Sequence, residues 1–432
     1  MASVAQGAGT SAAPVRGAGY GLFLLFMANL LNMGDRALLG IVVDPVKADL
    51  LLSDTQMSIV SGTAFVLFNL IVGIFIARWV DVGNRKWILI LGVSLWSGAT
   101  ALTGLAQGFW SLGLTRILVG VGEATAFPVA ISMISDLYAA HKRPRAISIF
   151  HASTFIGIVS GTILAGVLAA AHGWRAMFLM CGLAGFVLVA LMLITMREPT
   201  RTSDDNRVAA KPDIGLFASI QQLMKVPGFT ALSFGMAFAG MTTAILPTWA
   251  PAFLLRSHDV PLAAVGALIG PAVGIGGITG TVFAGMMATY LVRKRGGSVY
   301  GLLVPLIAVP LSAPFFLVFI FAPQLTFAMS SAAVMNFLLS SAMVCCIAAA
   351  VSIAPSNMRA VSSTLMLIGY GIIGNAIAPL IVGAVSDLLV PQFGVDSLRY
   401  GLATMAPTPL IAGVLLWIAF TKIRAEKRRS AV

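Results

Sequence analysis

Charge is what this sequence has least of. Only 10% of its 432 residues are Asp, Glu, Lys or Arg, against about 25% in an ordinary soluble domain. So few charges cannot coat a water-soluble surface, and a conventional soluble enzyme is disfavoured at the outset. Cysteine is scarcer still: Cys181, Cys345 and Cys346 all lie in apolar runs, at spacings that fit neither a disulfide framework nor a metal site. Acids are few as well, 15 against 27 Lys and Arg, for a net charge of +12. In a soluble chain that excess would suggest nucleic acid. Here the bases fall in short loops between apolar runs, where they signal membrane topology, and no nucleic-acid partner is expected. Residues 1–17, rich in Ala, Gly and Ser, lack a convincing cleavage site and are expected to be a disordered tail ahead of an uncleaved first span.

What is present is hydrophobic sequence, 59% of the chain, with 44 glycines. A membrane-crossing helix needs about 20 apolar residues. Apolar runs fall near 18–43, 54–77, 87–106, 109–137, 145–171 and 174–196, and again near 228–254, 262–290, 299–321, 323–352, 361–389 and 398–421. Twelve spans use nearly the whole length and leave no room for a soluble catalytic domain. The predicted fold class is therefore an all-α polytopic membrane protein, with bundles at 18–196 and 228–421. Between them lies a linker, 197–227, whose end, Leu216–Lys225, has the spacing of an amphipathic helix along the inner surface. A basic tail, 422–432, closes the chain. Of the 27 bases, Lys47, Arg175, Arg256 and Arg399 occupy outer loops, Arg36 and Arg116 lie inside spans, and the rest crowd the other side. By the positive-inside rule both termini are cytoplasmic, and the protein is expected in the cell membrane.

The two bundles carry an internal repeat. Arg145-Ala146-Ile147-Ser148 follows span four, and Arg359-Ala360-Val361-Ser362 follows span ten; the loop 77–86 after span two is echoed by 285–294 after span eight. Two matches in equivalent loops argue for a duplicated six-helix unit, the architecture of carriers that rock about a central site. The loop Ala77–Lys86 resembles the glycine, aspartate and basic signature of the major facilitator superfamily. Asn32-Met33-Gly34-Asp35-Arg36, Pro45–Leu50, Arg116–Ala124 and Gly173-Trp174-Arg175 resemble the Spinster-type branch, including its bacterial members. The resemblance implies two pseudo-symmetric six-helix bundles and secondary transport. Val82 and Thr289 depart from the loop signature, which usually has arginine at the first position.

Four ionisable side chains lie well inside spans: Asp35 and Arg36 in span one, Arg116 and Glu123 in span four. A charge at the bilayer centre costs at least about 2.5–3.5 kcal/mol, so these four are expected to pair and to face a wet cavity. Asp35 is expected to pair with Arg116 until a proton releases the arginine for an anionic substrate. Glu123, two turns below Arg116 on the same helix face and near the midplane, is a candidate for a second coupling proton. Arg36, rotated about 100° from Asp35, is expected to pair with Glu123 or to line the outer mouth. A static network holding spans one and four together is the alternative. Asn32, His151, Asn336, Tyr370 and Asn375 are further candidates for polar contact with substrate, against the plainer reading of packing and interhelical hydrogen bonds. Asp81, Arg85 and Lys86 stand in the loop that the resemblance implies is the inner gate's latch, with Asp136 and Arg145 as expected partners.

Spans seven to twelve hold no deep Asp, Glu, Lys, Arg or His; Asp387 lies near an outer end. A cavity charged on one wall and apolar on the other suits an amphiphile with an anionic head. Spinster-type proteins are associated with lysophospholipid and sphingolipid-phosphate transport, so the resemblance implies the same class. Three classes stay open: a proton-coupled carrier of such lipids, a symporter or exporter of small organic anions or drugs, and a non-transporting receptor. No cofactor is expected. The coupling ion is read as a proton, with sodium an alternative that the same carboxylates could serve. The partners are the bilayer and a small substrate, and the protein is expected to be a monomer.

Overall fold

The computed structural model describes residues 17–139, 141–201, 216–355 and 358–429. The expected tail 1–16, most of the linker (202–215) and the last residues 430–432 lie outside the described residues. Among those described the chain is helical throughout, with ten helical stretches long and apolar enough to cross a membrane. Span one is Ala18–Ile41, span two Asp54–Val82, span three Arg85–Thr103 and span four Phe109–Leu137. The stretch Arg143–Thr195 has 53 residues. At 1.5 Å per residue it would run about 80 Å, far more than a bilayer core. It turns at Gly173, whose φ of 79° lies in the left-handed region that only glycine enters without strain. Residues 143–172 and 174–195 are spans five and six. Span seven is Phe229–Thr248, span eight Leu262–Arg295, span nine Ser298–Phe321 and span ten Leu325–Ile353. The 69-residue stretch Val361–Arg429 breaks near Gly394 and again at 404–407, leaving span eleven at 361–393 and span twelve in Thr408–Arg429. Twelve crossings result.

Local chemistry fixes several of these starts. Ser53 and Gln56 form a reciprocal capping box that opens span two. Asn84 accepts the Trp87 N–H at 3.2 Å and opens span three. Of the linker, Leu216–Lys225 is helical, and Leu223 is buried in the carboxy-terminal core. Within the first bundle, Asn29 on span one donates to Ser153 and Thr154 on span five at 2.8 and 2.9 Å.

The two bundles meet along span five against span eight and span two against span eleven. Spans five and eight touch backbone to backbone from Gly166 beside Leu262 to Gly274 beside the Phe155 carbonyl, and the Phe155 ring lies against Gly277. One helical turn further inward on the same face of span five comes His151, which is exposed. The close contact of the two helices thus runs from the level of Gly166 to that of Gly277, and the accessible His151 lies beyond it. Spans two and eleven each contain a π-helical segment, Ile59–Ala64 and Tyr370–Ile377, and the two face one another. Thr63 donates to the Ala376 carbonyl at 2.9 Å, and Ser58 to the Pro379 carbonyl at 2.8 Å. Side-chain hydroxyls of one bundle therefore serve carbonyls of the other.

The closest approach is at Gly266, where a Cβ would stand 2.0 Å from the Thr162 carbonyl oxygen. Backbone on both sides leaves nothing soft to yield. Gly266→Ala is expected to destabilise the purified protein by about 1–3 kcal/mol in thermal unfolding. Gly73→Ala, at a site with nothing within 4 Å, is expected to match the wild type or exceed it slightly.

Candidate substrate site and gates

The four intramembrane charges converge between spans one and four. Arg36 reaches across to Glu123, Nε to Oε2 at 2.6 Å. The Glu123 side chain is fully buried, whereas that of Arg36 is 38% exposed. The pair therefore has a sealed end and an accessible one. Phe65 of span two lies between two guanidiniums, 5.3 Å from Arg36 and 5.5 Å from Arg116, so its ring face offers both cations a favourable quadrupole. Asn32, buried, sits 3.5 Å from the Glu123 carbonyl and ties span one to span four.

Asp35 and Arg116 do not form the expected ion pair. Asp35 accepts a hydrogen bond from Thr100 on span three instead, and it lines a cavity of about 100 Å³ among spans one, three, five and six. The rotation of about 100° between successive helix residues explains the difference: with Arg36 aimed at Glu123, Asp35 must point into its own bundle. Arg116 is buried against Phe65, and its Nε and Nη1 have no hydrogen-bond partner; neither have Asp35 Oδ1 and Glu123 Oε1. Buried polar atoms are nearly always paired. Unpaired donors and acceptors spread over two turns of span four and the facing part of span one are an arrangement a ligand or a proton would complete.

The remaining candidates divide. His151 is exposed, on the stripe of span five that faces the other bundle, with Phe127 5.7 Å away. Asn336 is occupied inside the second bundle, donating to the carbonyls of Ala272 and Val273 at 3.3 and 2.8 Å; those carbonyls on proline-containing span eight draw it away from a cavity role. Tyr370 hydrogen-bonds Thr243 and packs on Gly240. Asn375 is half-buried in the π-helical segment, its backbone carbonyl against Gly62 of span two.

On the inner side the expected latch is arranged differently. Arg85 is buried and pairs with Asp136, with Glu198 at 2.7 Å, and with the Pro199 carbonyl. Glu198 also accepts the Lys86 N–H at 2.7 Å at the start of span three, where a carboxylate suits the helix terminus. Asp136 is thus a partner of the loop as expected, through Arg85, whose buried guanidinium demands counter-charge. Asp81 and Arg145 are both exposed and do not pair with each other. Arg85, Lys86 and Asp136 therefore brace the first bundle internally.

The ion pairs that join the two bundles lie on the outer side. Arg256, at the end of the helix extending span seven, binds Asp44 with Nη2 at 2.5 Å and Asp54 with Nη1 at 2.8 Å. Lys47 adds a contact to Asp54 at 2.6 Å. Ser386 donates to the same carboxylate at 2.7 Å, and Asp387 accepts the Asp54 and Thr55 N–H groups at 2.9 and 2.8 Å. Burial works against the Arg256 charge, but the two carboxylates more than offset it and hold the guanidinium well above its usual range. These latch residues did not stand out in the sequence, although Lys47 and Arg256 are two of only four outer-loop bases. A base on the side that topology keeps poor in bases is a usable signal.

The family model for the major facilitator superfamily matches residues 25–379. The chain belongs to that superfamily. Among relatives, "Protein spinster homolog 1" of Xenopus tropicalis is 29% identical over 95% of this chain and 82% of its own length. An "MFS-type efflux pump" of Mycolicibacterium smegmatis is 28% identical over 93% and 92%. The fold is shared with the crystal structure of a bacterial homologue of the human lysosomal transporter Spinster, in an inward-facing, unoccupied conformation. The TM-score is 0.82 at 24% identity, covering 94% of this chain and 97% of that one. This facilitator-superfamily chain is accordingly a multi-pass membrane transporter of Spinster type, not an enzyme.

Removing Arg256 leaves Asp54, whose side chain is fully buried, with Lys47 as its remaining cation and cuts its tie to the second bundle; losing one partner of a buried pair costs up to about 3–5 kcal/mol. Arg256→Gln is expected to open the outer side. A cysteine placed at Thr55, in a chain whose own three cysteines are replaced, then reacts faster with a membrane-impermeant thiol reagent. Arg256→Lys is expected to fall between the two.

Proposed function

We propose that this transporter moves an anionic amphiphile, of the lysophospholipid or sphingolipid-phosphate class, by proton-coupled alternating access. The observation that carries the reading is the asymmetry of the two walls. The first bundle presents Arg36, Arg116, Asp35 and Glu123, whereas spans seven to twelve carry no Asp, Glu, Lys, Arg or His deep within them, Asp387 lying near the outer end of span eleven. An anionic head fits the charged wall and a hydrocarbon tail the neutral one. Spinster-named relatives support the same class of cargo.

In this reading Glu123 and Asp35 carry the coupling protons. Protonating Glu123 removes the negative charge that holds Arg36, and the released guanidinium, already partly exposed, takes the substrate's anionic group. Arg116 stabilises that group from the same side. Asn32 keeps Glu123 in register, and His151, at the cavity's inner flank, is a further contact for an anionic head. Both termini are placed in the cytoplasm by the loop bases, the cell membrane is the site, and the monomer is the working unit. A second reading, export of small organic anions or drugs, is favoured by the relative named as an efflux pump. Sodium is the alternative coupling ion.

Proteoliposome flux tests the proposal. A lysophospholipid is expected to be taken up faster with an imposed pH gradient than with a sodium gradient of equal size. Asp35→Asn and Glu123→Gln are expected to reduce gradient-driven uptake to the level of empty liposomes while leaving substrate exchange in part. Undiminished pH-dependent uptake in both variants overturns proton coupling through these residues. Selective flux of small anions, with none of lysolipid, overturns the cargo assignment.

A further inference from the structure

Several inner bases of the first bundle are engaged by carboxylates or backbone carbonyls. Arg85 has Asp136 and Glu198, Lys86 the Leu193 carbonyl, Arg143 the Tyr138 carbonyl, and Arg201 the carbonyls of Val80 and Gly83. The inner end of the second bundle is different. Span eight ends in Arg293, Lys294 and Arg295, and span twelve in Lys422, Arg424, Lys427, Arg428 and Arg429, with Glu426 the sole carboxylate in these two segments. Several of these cations rest on neutral groups. Lys294 reaches the Tyr290 hydroxyl at 3.2 Å, Arg295 and Arg424 lie 5.6 and 5.9 Å from the Tyr300 ring, and Lys427 donates to the Ser298 hydroxyl at 2.5 Å. Arg424 Nε is buried without a hydrogen-bond partner.

Within this field lies a cavity of about 380 Å³ among spans eight, nine and ten. Arg293, Thr289 and Ser298 supply its polar lining; Val292, Val344 and Ala348 supply apolar lining. We propose that this cavity binds the phosphate of an anionic phospholipid of the inner leaflet. A guanidinium beside two hydroxyls suits phosphate oxygens, which take charge-assisted hydrogen bonds. The apolar lining suits the glycerol and first acyl carbons, which a free phosphate ion lacks. Basic pockets between helices on the cytoplasmic side are a recurrent setting for such headgroups. The site belongs to the second bundle, apart from the Arg36–Glu123 wall, so the lipid acts as a resident of spans eight to ten and not as cargo.

The test uses the full chain in detergent and reads lipid retention by native mass spectrometry and protection by thermal shift. Phosphatidylglycerol is expected to remain bound and to raise the unfolding temperature, whereas phosphatidylcholine and inorganic phosphate at equal concentration are not. Each of Arg293→Ala and Lys427→Ala is expected to weaken phosphatidylglycerol binding about fivefold. Lys142→Ala, an exposed base of the first bundle, is expected to bind as the wild type does. Arg293→Lys, which keeps the charge, is expected to lose less than the alanine variant and serves if alanine there impairs folding. Unchanged retention in the Arg293 and Lys427 variants overturns the site. Equal protection by inorganic phosphate overturns its assignment to a lipid.

Discussion

A guanidinium shared between two carboxylates of the opposite bundle decides which face of this protein is closed. Arg256 comes from the second bundle, and Asp44 and Asp54 from the first. The contacts of Ser386 and Asp387 then tie span eleven to the same carboxylate and to the start of span two. Because Asp54 is fully buried there, the contact is a fitted joint and not a surface pair of the kind that contributes little. Close packing of spans five and eight lies toward the same end of the molecule.

The charge inside the membrane is arranged on a second logic. One bundle carries all four deep charges of spans one and four; the other contributes hydroxyls, amides and apolar surface. A pair buried at one end and accessible at the other, as Arg36 and Glu123 are, can exchange its inner partner for an outer one without exposing a bare charge to lipid. Phe65 lies within cation–π reach of both arginines. Asp35 and Arg116 keep unpaired atoms, so the four residues are arranged as one pair plus two flanking groups, not as two pairs.

Much of this was legible in the sequence. Apolar run length gave twelve crossings because a bilayer imposes a length. The Arg36–Glu123 pair followed from spacing along two helices. The Asp35–Arg116 pair did not materialise, because helix rotation sends Asp35 toward Thr100, and one sequence does not show which neighbour a helix face meets. Asp136 was expected beside the loop of Arg85, but its second partner was not: Glu198, in the polar segment after span six, returns to Arg85 over more than a hundred residues. Asn336 looked like a cavity residue because an intramembrane amide carries the same signature whether it serves a ligand or a backbone carbonyl. The Asp44–Asp54–Arg256 joint is long-range in the same sense, and its only local sign was a base on the base-poor side.

The facing π-helical segments of spans two and eleven bear on how the protein changes state. A π turn stores one more residue than an α turn, so relaxing it to α geometry advances everything beyond it by about 100° of rotation. Here two such stores sit at one contact, each with a carbonyl or hydroxyl engaged by the opposing helix. Rotation can therefore be taken up within Ile59–Ala64 and Tyr370–Ile377 while the helix ends above them stay clasped. The contact between the bundles at this level is thus made of two segments that each hold a residue in reserve.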